Sequence, residues 1–158
     1  MPDRQLFAEL AALQRDIERG LAVQEQFIRR FQALIQSEKN AFPLLNLFPC
    51  PVAIFGRDGV LHRVNNVLTE STDLGEGDVP DGNISFLGRI TNENYAILEA
   101  AEGVFYGKTA LLSRLSYLLE LFCKSWNYPV GDDYHSALIF PLPDREGCIT
   151  YGVVMLLK

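Results

Sequence analysis

The chain is 158 residues long and 48% apolar, enough to bury one core with an appendage but not two full domains. Residues 1–40 carry six basic and six acidic side chains, so the whole net charge of −6 falls on residues 41–158. An acidic domain of that kind repels phosphates and argues against direct nucleic-acid binding. No apolar run approaches the roughly 18 to 20 residues that a bilayer span needs.

From Asp3 to Glu38 there is no proline, one glycine and an abundance of Ala, Leu, Gln, Glu and Arg, which predicts one long helix. Leu6, Leu10, Leu13 and Ile17 step by four and three, the spacing of a coiled-coil seam, and Leu21, Ile28, Phe31 and Ile35 continue it. Two consecutive steps of four at Leu13–Ile17–Leu21 make a stutter with Gly20 inside it, a flexible point. Such a stripe is buried either against a second copy, giving a homodimer that passes a signal along its axis, or against the chain's own domain. The expected division is therefore a helix over 1–40 and a globular part over 41–158.

Residues 40–51 hold three prolines and no clean period, a linker whose Phe42, Leu44, Leu45, Leu47 and Phe48 can plug one end of a core. Two short apolar runs, Val52 to Phe55 and Val60 to Val64, flank Gly56-Arg57-Asp58-Gly59 and predict a hairpin turned at its glycines. Asn65 is a candidate cap for a short helix from Asn66 to Ser71. Thr72 to Asn83 collects three glycines, a proline and the acids Asp73, Glu76, Asp78 and Asp81, a solvated loop without the ligand order of a calcium loop.

Thr91 offers a cap and Gly103 a stop for a helix over Asn92–Glu102, followed by a strand over Val104–Leu112. Beyond Leu111 the leucines, Phe122 and Trp126 repeat at helical spacing, so the strand is expected to end near Arg114 and a short helix to run from Tyr117 to Trp126. His135–Pro141 and Cys148–Leu157 read as two strands joined by a Gly-bearing turn. Five strands separated by helices, without β-α-β-α alternation, point to an α+β fold with one antiparallel sheet.

The sequence Phe48-Pro49-Cys50-Pro51, the hairpin with its Asp58-Gly59, the second strand ending in Val64-Asn65 and the short helix behind it resemble the opening of a PAS domain. The later helix, strand and closing hairpin agree, and the resemblance spans roughly Phe42 to Lys158. It implies a PAS-like five-stranded antiparallel sheet with helices on one face, preceded here by the long N-terminal helix. It also implies a sensory domain of a bacterial, cytoplasmic signalling protein of the transcription-regulator or two-component kind, with its output domain or partner protein outside this chain. Photosensing flavin members carry Asn-Cys-Arg-Phe-Leu-Gln where this chain has Asn94-Tyr95-Ala96-Ile97-Leu98-Glu99, so the adduct-forming cysteine is missing. Many haem-binding members place a histidine on that helix, and none lies between Asn92 and Glu102. No cofactor is therefore expected, and the non-flavin, non-haem branch is the expected one.

No nucleophile elbow, phosphate loop or His-Glu-x-x-His pair occurs, so an enzyme is not expected. Cys50, Cys123 and Cys148 are odd in number and widely spaced, which suggests reduced thiols rather than a disulfide or a metal knuckle. A small organic ligand in an interior pocket, or a ligand-free dimerisation or interaction module, remain as readings. For the first, His62 shares a strand face with Val60 and Val64 and either points inward or is an ordinary structural histidine. Tyr95 and Tyr106 lie on elements that wall the cavity in PAS domains. Arg114 offers a charge to an anion, and Trp126 is expected to cover one side of the pocket or sheet.

Overall fold

Val52–Phe55 form strand β1, and all four residues are buried, as befits a run with no polar side chain. In the computed structural model, which describes residues 8, 21–37, 42–79, 84–126 and 128–158, β1 lies between β2 (Leu61–Val64) and β5 (Ile149–Leu157). Strand β5 pairs with β4 (Ser136–Pro143), and β4 with β3 (Ala110–Leu112). The two predicted hairpins thus join in one antiparallel sheet of order β2-β1-β5-β4-β3.

Every second residue of these strands faces one apolar cluster: Ala53 and Phe55, Ala137 and Ile139, Val154 and Leu156. Helix α2 (Asn66–Ser71) adds Leu68 to it, and α3 (Tyr95–Val104) adds Ile97, Ala101 and Val104. The domain is therefore α+β, a PAS-like sheet with helices on one face. A Cβ on Gly152 would lie 2.5 Å from the Phe55 ring and 2.8 Å from Val104 Cγ1, so the close approach of α3 to β5 requires glycine there.

Asn65 does more than its capping pattern suggests. Its Oδ1 accepts from the N–H of Leu68 at 3.2 Å, capping α2, and from the N–H of Val52 at 3.0 Å. Its Nδ2 donates to the Cys50 carbonyl at 2.8 Å. One fully buried side chain thus ties the end of β2 to the start of β1.

Several elements depart from the sequence expectation. In the first turn Gly59 has φ +75° but Gly56 does not go left-handed; Asp58, at φ +65°, takes the second such position. Helix α3 follows a 3₁₀ turn at Asn92–Asn94, runs past Gly103 to Val104, and leaves only three residues of the predicted 104–112 strand in β3. The 117–126 segment is a five-residue 3₁₀ turn, Leu118–Phe122, entered through a left-handed Tyr117. Its helical spacing nonetheless identifies an inward side, because Leu115, Leu118, Leu119 and Phe122 are buried.

The acidic loop is not merely solvated. Thr72, Leu74 and Val79 are buried, Asp73 accepts the N–H groups of Lys124 and Ser125 at 2.6 and 2.9 Å, and Asp78 pairs with Lys124 at 2.9 Å. Residues 80–83 lie outside the described residues.

The chain divides into two compact units, Met1–Pro49 and Cys50–Lys158. In the first, α1 (Leu21–Ser37) and a 3₁₀ turn (Phe42–Leu47) precede Phe48. The rings of Phe27, Phe31 and Phe48 meet, with Phe31 and Phe48 at 5.4 Å. Of the expected seam, Leu6, Leu10, Leu13 and Ile17 lie outside the described residues, as does the side chain of Leu21. Ile28 and Phe31 are buried within the single chain, and Ile35 is partly buried. No helix among the described residues is long and apolar enough to cross a membrane.

Candidate functional site

The β1–β2 turn is held from several directions. The Gly56 N–H donates to the Val60 carbonyl at 2.8 Å, and the Gly59 N–H to the Gly56 carbonyl at 3.1 Å. The Ser85 hydroxyl donates to the Asp58 carbonyl at 2.5 Å, while the Leu61 N–H reaches the Ile84 carbonyl at 2.8 Å. A fixed turn presents its side chains in a fixed direction.

Opposite the turn, Leu98, Ala101, Glu102 and Phe105 follow i, i+3, i+4, i+7 along α3 and just past it, so they share one helix face. Between turn and helix lies a cleft of about 430 Å³, lined by Phe55, Arg57, Asp58 and Gly59 on one side and by this helix face and Tyr106 on the other, with Leu87 at its edge. That volume falls in the range of small-molecule sites, and the lining mixes apolar side chains with Arg57, Asp58, Glu102 and Tyr106. The Arg57 guanidinium lies over the Phe105 ring, 4.9 Å from its centroid. From there aromatic contacts run inward: Phe105 to Phe55 at 6.2 Å, Phe55 to Phe86 at 5.1 Å, and Phe86 stacked on Phe122 at 5.3 Å.

Of the five residues that the sequence suggested for ligand contact, the structure brings only Tyr106 to this cleft, where it is 83% exposed. His62 does not point into the helix-covered side. A bulge between Ile54 and Phe55 pairs Leu61 with Phe55 and Arg63 with Ile54, which leaves His62 as the extra residue. Its ring meets Tyr151 at 4.7 Å, on the sheet face away from Gly152 and Val154. The bulge breaks the period-two alternation on which the inward reading rested.

Tyr95 opens α3 and is exposed, away from the cleft lining. Arg114, at φ +60°, is exposed and also outside that lining. Trp126 does not line this cleft: it is 76% exposed, with the Arg89 guanidinium 4.5 Å from its ring centroid. Arg57, Asp58, Leu98, Glu102 and Phe105 were missed because they come from separate segments; the only local signal was the Gly-Arg-Asp-Gly turn itself.

None of the three cysteines lines the cleft. Burial pushes the Cys50 thiol up to about 12, and burial likewise raises that of Cys123, whose Sγ–H donates to the Leu119 carbonyl. Cys148 is exposed at the β4–β5 turn beside Asp144 and Glu146, and these three are the described residues whose metal-ligating atoms come within 4.8 Å of one another. There Asp144 Oδ1 accepts the N–H groups of Glu146 and Cys148, both at 2.9 Å, which is the bonding of the turn itself.

No known family profile matches the chain, and no curated protein is similar to it. Among solved structures, a sensory box sensor histidine kinase from Vibrio cholerae is 13% identical at a TM-score of 0.49, covering 85% of this chain and 96% of its own. The LOV protein of Rhodobacter sphaeroides is 15% identical at 0.48, covering 73% and 63%. A fungal LOV domain photoreceptor is 15% identical at 0.46, covering 90% and 96%. Likeness at this distance carries no ligand or output over to the chain.

Proposed function

We propose that this chain is a non-catalytic sensory domain of a cytoplasmic signalling protein, bacterial in kind, that binds a small organic ligand without forming a covalent adduct. The observation that carries this reading is the cleft, of ligand size and lined by both apolar side chains and charged ones from a hydrogen-bonded turn and a helix. Absence of a cysteine from both Asn94–Glu99 and the cleft lining supports the non-covalent, non-flavin-adduct form. The seam Leu6, Leu10, Leu13 and Ile17 supports coupling to a second copy, with the output in a domain or partner outside this sequence. Ile28 and Phe31 are already buried within one chain.

The test is a thermal-shift screen of the full chain against metabolites, with native mass spectrometry for co-purified ligand and sedimentation for oligomeric state. A saturable rise in Tm, growing with ligand concentration as linkage requires, is the expected result. No hit anywhere in a broad library rejects it. One observation favours a second reading, a ligand-free dimerisation or interaction module: the core itself is filled by the Phe55, Phe86 and Phe122 rings. A dimer whose stability no compound alters would select that reading.

A further inference from the structure

Three charged side chains stand around the cleft, Arg57 and Asp58 from the turn and Glu102 from α3. Among the described residues none of them makes an ion pair, although cation and carboxylates line one cleft; Arg57 is engaged only by the face of Phe105. Elsewhere in the same unit, Lys124 and Asp78 close to 2.9 Å. The turn that bears Arg57 and Asp58 is fixed by the Ser85 hydroxyl on the Asp58 carbonyl.

An uncharged apolar ligand would strip part of the water from these exposed groups and offer them no partner, which is unfavourable. A simple anion would gain Arg57 and meet two carboxylates, while a simple cation would face Arg57. We infer, on the reading of this cleft as a ligand site, that it takes a small zwitterion with an apolar body. The ligand's carboxylate would meet the planar fork of Arg57 and its ammonium the Asp58 and Glu102 carboxylates, with the apolar body over Phe55, Leu98 and Ala101. An amino acid with a large apolar side chain has this chemistry.

The test titrates the full chain with L-phenylalanine, L-leucine, phenylacetate and phenethylamine, followed by two-dimensional amide NMR. Phenylalanine is expected to bind at least about 10-fold more tightly than either singly charged analogue, since each charge-assisted contact is worth that much or more. Its shifts should centre on residues 55–59 and 98–106. Arg57→Gln should abolish its advantage over phenethylamine, and Glu102→Gln should shrink that over phenylacetate. Both side chains are exposed, and far-UV circular dichroism checks that the fold is retained.

Equal binding of a singly charged analogue, or failure of both amino acids while some other compound shifts the cleft, overturns the zwitterion and leaves the ligand site standing. Silence of the cleft residues to these probes and to the whole metabolite library overturns both.

Discussion

The short 3₁₀ turn Phe86–Arg89 has two very different sides. On one, Arg89 donates to the carbonyls of Glu120, Lys124 and Ser125 at 2.7 to 3.3 Å, Asp73 caps two N–H groups, and Lys124 pairs with Asp78. On the other, Leu87 edges a cleft whose three charged side chains make no ion pair with the described residues. The same residue types are spent on backbone in the first place and left open around a hollow in the second. Charge on the closed side fixes loops, and charge on the open side is available to something that binds.

Gly59→Ala should have the largest effect, because it strikes the frame of the open side. A Cβ there would sit 2.6 Å from Leu87 Cγ and 2.9 Å from Ser85 Oγ, on a backbone at φ +75°. Left-handed strain and overpacking together predict a loss of about 2 to 3 kcal/mol, read by chemical denaturation. A loss below about 0.5 kcal/mol, the scale of an ordinary surface change, would mean that the turn is not rigid.

Next come the two arginines. Arg89→Met should cost about 2 kcal/mol, three charged hydrogen bonds discounted for partial exposure, and should alter the emission of Trp126, the chain's single tryptophan. Arg57→Met should stay within about 0.5 kcal/mol. Equal losses would erase the distinction between the sides.

Acid should loosen the closed side. Desolvation pushes the Asp73 carboxyl up, but hydrogen bonds from the Ser125 side chain and the Lys124 and Ser125 backbone outweigh it and hold the group below its ordinary 3.8. The Gly75 N–H and then Lys124 do the same for Asp78. Because the folded values are lowered, this stabilisation is full above about 3.8 and is lost as pH falls through the folded values. Trp126 emission should therefore stay flat from neutrality to about pH 5 and change below pH 4. A transition centred near neutrality would contradict the assignment.

The fold was legible because its signals are local. Val52–Phe55 with its glycine turn, the β4–β5 hairpin and the Asn65 cap each need no more than about twenty-five residues of context. His62 was misplaced because a single bulge residue reverses its side, which no alternation pattern reveals. Trp126 fitted the helical spacing of the leucines, but that turn ends at Phe122 and leaves the indole outside. The cleft was illegible because Arg57, Leu87 and Glu102 meet only after the sheet and α3 have packed.

The most direct measurement is an amide NMR map of the full chain with the best compound from the metabolite screen. Saturable shifts confined to residues 55–59, 87 and 98–106, with the 118–126 segment still, are the predicted result. Shifts spread over the Arg89 side, or a cleft that no compound perturbs, would contradict the account.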